Sequence, residues 1–238
     1  MNNIETLIKG VGDLNIELSE IQVNNFIKYK DLLKEWNKKI NITAITEDDE
    51  IDIKHFLDSL TPVTTGLLDK NIKLIDIGTG GGFPGLPLKI YNEELNVTLL
   101  DSLNKRITFL KEVIDTLGLD NIEAIHGRAE ELGRDEKHRE QYDISISRAV
   151  ASLNTLSEYC MPFVKVGGHF ISMKGPDVED ELKDAEKAIK TLGGKLVKVE
   201  SIKIPQSDIV HSLIIIEKIK ETPTKYPRSG GKPKKNPL

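Results

Sequence analysis

The chain has 238 residues, 38% hydrophobic and 30% charged, which suits one compact domain with an appendage and a sizeable buried core. A net charge of −5 argues against a surface that adheres to nucleic acid everywhere, and no apolar run reaches the roughly 18 residues of a membrane span. Cys160 is the single cysteine, so no disulfide forms within the chain; the amino terminus lacks the basic and apolar regions of a signal peptide, and a cytoplasmic protein is expected.

In chain order, Ser19 and Gln22 form a capping box, with Leu18 and Val23 as a hydrophobic staple. Phe26, Tyr29, Leu33, Trp36 and Ile40 then step by 3, 4, 3 and 4, one apolar stripe of a helix. A shorter helix is expected over Ile51 to Leu60, so residues 1–68 read as an N-terminal helical extension. From residue 69 the pattern alternates. Strands are predicted at Ile72 to Ile77, Val97 to Leu100, Ile122 to Ile125, Asp143 to Ser147 and Gly168 to Met173. Helices are predicted at Gly85 to Tyr91, Asn104 to Leu117 with Gly118 as its C′ residue, Leu153 to Pro162 and Pro176 to Leu192. Lys195 to Ile204 and Ser212 to Ile219 are too close for a crossover and predict an antiparallel hairpin at the sheet edge. This order implies an α/β fold, a mostly parallel sheet with helices on both faces, over 69–220. Ligands of such sheets bind at the carboxyl ends of the strands.

Residues 221–238 form a basic tail. From Lys225 onward it carries Lys225, Arg228, Lys232, Lys234 and Lys235 with no acid, which leaves the remaining body at −10. Its prolines and scant apolar content predict disorder in isolation. The segregated charge suggests a grip on RNA phosphates, with an idle solvated terminus as the alternative.

The sharpest signal is Asp76-Ile77-Gly78-Thr79-Gly80-Gly81-Gly82-Phe83-Pro84-Gly85, which follows the first strand and opens a helix. Five glycines in eight positions exceed what a plain turn needs. Gly80, Gly82 and Gly85 satisfy the dinucleotide pattern G-x-G-x-x-G; Asp76, Gly78 and Gly80 satisfy D-x-G-x-G, the form suited to S-adenosylmethionine (SAM). SAM is favoured, because an acid at the strand end suits a cationic sulfonium better than a pyrophosphate, and because about 70 residues precede the loop. Asp101, ending the second strand, is placed to accept from ribose hydroxyls, or to cap the next helix. Ala129 and Glu130, after the third strand, either border an adenine or begin a solvated helix. Arg148 and Lys174, after the fourth and fifth strands, are functional or surface charges. The five histidines show no metal-ligand spacing, so no metal is expected. His55 reads better as a hydrogen-bonded structural residue, and Trp36 as core rather than a base-stacking platform.

Leu32 to Asn37 with Asn41-Ile42-Thr43, His55 to Leu60, the glycine loop, Ser147-Arg148-Ala149-Val150, Tyr226-Pro227-Arg228, Gly230 to Pro233 and Lys235-Asn236-Pro237-Leu238 are linked segments in a fixed order. Together they resemble the small ribosomal subunit RNA methyltransferase G family (the GidB type) over nearly the whole chain. The resemblance implies a Rossmann-like SAM-dependent methyltransferase fold. It also implies methyl transfer to N7 of one guanine in 16S rRNA, near the decoding centre of the small subunit; apart from the resemblance, a monomer is expected. By the family pattern Gly78 and Phe83 line the SAM site, Ala129 and Glu130 reach it from the third loop, and Arg148 from the fourth; no side chain is assigned to the chemical step. Outside that resemblance, a NAD-dependent oxidoreductase and a non-catalytic RNA-binding protein on a methyltransferase scaffold remain the alternatives.

Overall fold

The computed structural model describes residues 4–68, 71–148 and 151–238. Ala149 and Val150 of the fourth-strand motif, and the junction expected at residue 69, lie outside them.

The N-terminal region opens with two helices. Helix α1 (Glu5–Asp13) lies within the expected helical extension, whose sequence reading gives it no bounds; it has no side-chain cap and buries Leu7, Gly10 and Val11. A Cβ on Gly10 would stand 2.3 Å from Leu57, so the helix lies close against the segment that carries His55. Helix α2 (Glu20–Ile40) starts at the predicted capping box, with both reciprocal bonds between Ser19 and Gln22 present. Phe26, Tyr29 and Leu33 of its stripe are buried, and Trp36 and Ile40 pack partly buried beside them. After α2, the Asn37 carboxamide accepts from Ile42 N (2.7 Å) and Thr43 N (2.9 Å), folding residues 41–43 back toward the sheet.

The single helix expected over Ile51 to Leu60 is composite. Helix α3 (Asp48–Ile51) runs into a π-helical turn (Asp52–Leu57), then α4 (Asp58–Leu60) and a 3₁₀ turn (Thr61–Thr65). Such π insertions recur at functional sites, and this one carries His55 with Asp58 immediately after it.

Seven strands form one sheet: β1 (Lys73–Ile77), β2 (Asn96–Asp101), β3 (Ile122–His126), β4 (Tyr142–Arg148), β5 (Val164–Lys174), β6 (Gly194–Lys203) and β7 (Val210–Lys218). Their order is β3-β2-β1-β4-β5-β7-β6. The first five are parallel; β7 is antiparallel to both β5 and β6, so the expected hairpin closes the edge. Helices α5 (Gly85–Tyr91) and α6 (Asn104–Leu117) have the predicted bounds, and Gly118 takes the left-handed cap. A short α7 (Ala129–Leu132) follows β3; α8 (Leu153–Cys160) and α9 (Glu179–Thr191) cover the other face.

Alternation along each strand feeds two cores. Leu74, Val97, Leu99, Ile144 and Ile146 point to one face, together with Phe26, Tyr29, Leu33 and Phe56 from the N-terminal helices. Ile75, Ile77, Leu100 and Phe170 point to the other, beneath α8 and α9. The N-terminal helices therefore share a core with the sheet. Among the described residues no helix is long and apolar enough to cross a membrane.

The tail, whose composition predicts disorder in isolation, lies ordered against the body. Thr222 and Tyr226 are buried. Arg139 donates to the carbonyls of Thr222 (2.6 Å) and Tyr226 (2.8 Å), and Arg134 to that of Pro227 (2.7 Å). Arg228 forks onto Glu158 of α8 at 2.9 and 2.6 Å. A last turn, α10 (Lys232–Lys235), lies beside α8, where Thr155 donates to the Pro233 carbonyl. The tail lacks a core of its own, and long-range partners supply its order.

Candidate active site

Four neighbouring strand ends meet where the strand order reverses between β1 and β4. β1 enters the glycine loop, β2 ends at Asp101, β3 leads into α7, and β4 ends at Arg148. This is where open parallel sheets place ligands.

The loop is held from below. Gly78 N and Thr79 N donate to Leu100 O at 2.8 and 3.1 Å. Asp76, fully buried, accepts from Thr79 Oγ1 (2.7 Å) and Gly85 N (2.8 Å). The reading of Asp76 as an acid facing a cationic ligand is thereby corrected: it braces the loop, and burial pushes its carboxyl up to about 6. Gly82 has φ of +101°, and a Cβ there would fall 2.4 Å from Leu86 and 2.7 Å from the Tyr29 hydroxyl, so no larger residue fits. That hydroxyl donates to Gly81 O, tying α2 to the loop.

Asp101 is 3% exposed. Its carboxylate accepts from Gly80 N (2.9 Å), Leu103 N (2.8 Å) and Arg106 (3.1 Å). The N-cap of α6 is Leu103, so the capping alternative for Asp101 does not hold.

Arg148 is an internal cation and not a surface charge, with a side chain 14% exposed. It donates to Asp58 (2.8 Å) and to Lys54 O (3.0 Å) and lies over the Phe83 ring at 5.1 Å. Its other nitrogen faces His55 Nδ1 at 3.4 Å. His55 stacks on Phe83 at 4.3 Å and 11°, and its Nε2 lies 2.8 Å from Thr43 Oγ1. Burial, then the Arg148 charge, push the imidazole down to about 3. His55 is therefore neutral near pH 7; with Nδ1 facing the guanidinium, Nε2 carries the proton and donates to Thr43. Asp58 also accepts from His211 Nδ1 (2.8 Å) on β7; against its burial, the His211 hydrogen bond and the Arg148 charge hold its carboxyl below the usual range.

Two adjoining hollows open above these groups. One, about 420 Å³, is lined by Thr43, His55, Gly78 to Gly81, Phe83, Arg106 and Arg148. The other, about 360 Å³, is lined by Gly127 to Glu130, Tyr159, Gly231, Lys234 and Lys235. Gly78, Asp101 and Ser102 border both. The volumes suit a small-molecule ligand. Gly78, Gly80, Phe83, Asp101, Ala129, Glu130 and Arg148 thus converge, as the sequence placed them.

The basic residues divide. Lys174 donates to Glu181 (2.7 Å) and to Ala151 O, and Arg228 is locked to Glu158, so the expectation that these two meet RNA is corrected. Each balances a carboxylate inside the fold. Lys232, Lys234 and Lys235 are exposed. Trp36 packs on Phe109 at 5.9 Å, which agrees with core packing. Sequence reasoning did not single out Tyr29, Thr43, Asp58, Tyr159 or His211 as site residues. Thr43 and Asp58 lie inside the resemblance segments; nothing local marks the others.

Residues 22–210 match the family described as GidB, rRNA small subunit methyltransferase G. The chain belongs to this family. A protein of that description from Alkaliphilus metalliredigens is 56% identical over 96% of both chains. One from Alkaliphilus oremlandii is 54% identical over 98% of both, and one from Clostridium tetani 51% over 100%. Among solved structures, M. jannaschii TYW2 in complex with AdoMet has a TM-score of 0.52 at 19% identity, covering 68% of this chain and 77% of that one. The M. jannaschii fibrillarin pre-rRNA processing protein has 0.52 at 16%, covering 65% and 69%. These distant likenesses show the Rossmann-like methyltransferase fold. For a methyltransferase G family member, the cofactor choice left open by the glycine pattern is SAM, and both the NAD-dependent oxidoreductase and the purely binding protein are set aside.

Proposed function

We propose that this enzyme, a SAM-dependent methyltransferase of small-subunit rRNA, moves the methyl group to N7 of one guanine in 16S rRNA, near the decoding centre. The observation that carries the site assignment is the convergence of four strand-end loops on two joined hollows. In this reading the hollow beside α7 takes the adenosine. Asp101 accepts from the ribose hydroxyls, and Ala129 and Glu130 border the base. Gly78 and Gly80 let the chain approach the methionine portion, and the hollow walled by Phe83, His55 and Arg148 receives the guanine next to the methyl group.

The residues fit a reaction that needs no base. Bound SAM supplies an electrophilic methyl on a cationic sulfur. Guanine N7 offers an in-plane lone pair and has no proton to lose, so the protein's task is alignment and exclusion of water. His55 is held neutral, and the Arg148 charge is balanced by Asp58, so neither imposes a strong cationic field on a positively charged cofactor and product. Exposed Lys232, Lys234 and Lys235 belong to the turn beside the same mouth and are assigned to rRNA phosphates.

Calorimetric titration with SAM and with NAD tests the site. SAM is expected to bind and NAD not, with SAM binding lost in Gly82→Ala. Binding of NAD, or of neither, would overturn the assignment.

A further inference from the structure

The hollow assigned to adenosine is completed by the last turn of the chain. Gly231, Lys234 and Lys235 line it together with Asp101, Ala129 and Glu130. The wall is set by its anchors. Buried Glu158 accepts from the Arg228 backbone N–H (2.7 Å) and from its guanidinium through both oxygens. Buried Lys218 donates to Thr222 Oγ1 (2.8 Å) at the tail's root, and Arg134 and Arg139 hold the carbonyls between these points. Bidentate, buried latches of this kind fix geometry as well as supplying energy. Lys234 and Lys235 are exposed, and among the described residues neither ammonium has a carboxylate partner. Arg128, 63% exposed, lines the same hollow and pairs with Glu130 at 3.7 Å.

We propose that the latched tail is a shared element of two sites, a wall of the adenosine hollow on one side and a phosphate grip on the other, so that rRNA and SAM bind with positive coupling. This rests on the assignment of that hollow to the cofactor. A phosphate backbone on Lys234 and Lys235 draws the turn onto Arg128 and narrows the mouth, and binding linkage requires the cofactor to strengthen RNA binding by the same factor.

The test is SAM affinity with and without deproteinised 16S rRNA, for the full-length protein and two variants. For the unaltered chain, RNA is expected to tighten SAM severalfold. In Lys234→Ala/Lys235→Ala, the ratio of SAM affinity with RNA to that without it should fall to one, whatever the variant's affinity for SAM alone. Arg228→Gln should weaken SAM alone by about fivefold to tenfold, the scale of one lost net hydrogen bond, and Arg228→Lys should recover part of it. Melting curves identify any variant that fails to fold; if Arg228→Gln does, the lysine pair decides alone. RNA-independent SAM affinity in the unaltered chain, or coupling that survives in the lysine variant, would refute the proposal. Absence of SAM binding in the unaltered protein would instead refute the cofactor assignment beneath it.

Discussion

Arg148 carries the largest share of the site's internal order. It satisfies Asp58, reaches the backbone of the π turn at Lys54, and covers Phe83. Arg148→Ala leaves Asp58 buried with His211, among the described residues, as its remaining side-chain partner, so a loss of about 3 kcal/mol in unfolding free energy is expected, together with weakened SAM binding. Urea denaturation and SAM titration on one preparation check both; unchanged SAM affinity would remove Arg148 from the cofactor site. His55 gives a pH signature. Its pKa is about 3 when folded, against an ordinary value near 6.5. Between these the unfolded chain binds a proton that the folded imidazole refuses. The neutral histidine's contribution is therefore complete above about pH 6.5 and is lost as pH falls, by up to about 1.4 kcal/mol per unit. Asp52 and Asp76, pushed up to about 6 chiefly by burial, act oppositely: their contribution is present at low pH and lost as pH rises through 6. His55→Gln removes only the first effect, so the stability gap between the unaltered chain and the variant should shrink from pH 7 to pH 5 in paired urea titrations. A constant gap would show that His55 is not buried and neutral.

Between elements, the main link is that of α2 to the glycine loop. Tyr29 stacks near Phe83 at 5.6 Å and donates its hydroxyl to Gly81 O. Tyr29→Phe keeps the ring and deletes that donor, with an expected cost of about 1 kcal/mol and a measurable fall in SAM affinity. A fall in stability with SAM affinity intact would mean that the N-terminal helices support the fold and not the loop. How legible each element is follows from where its signals lie. The glycine loop, the capping box of α2 and the bounds of α5 and α6 rest on signals within a few residues of each other. The bounds of α1 escape sequence reasoning because Ile4 at its start offers no capping side chain and its apolar stripe is short. The π turn reads as ordinary helix, since its wider period leaves no mark in ten residues. The pairing of Asp58 with His211 spans 153 positions and becomes visible only when β7 lies beside the π segment.

At the scale of the whole molecule, the charge asymmetry is legible in the sequence and its structural meaning is not. The tail's composition reads as disorder because its order depends on Arg134, Arg139, Glu158 and Lys218, none of which lies within it. Folding divides its cations into a latch, Arg228, a lysine over the Tyr226 ring, Lys225, and an exposed set on the last turn, Lys232, Lys234 and Lys235. Replacing those three lysines with alanine should weaken binding to 16S rRNA and flatten its salt dependence by about 0.7–0.9 in the log–log slope for each phosphate no longer neutralised. An unchanged slope, measured by filter binding across a salt series, would assign phosphate binding to another surface. The central claim is tested most directly by methyl transfer from labelled SAM to small subunits from cells lacking this gene, with the modified nucleotide mapped. The account predicts label on N7 of a single guanine in 16S rRNA; label on another atom or base, or none from a protein that binds SAM, would contradict it.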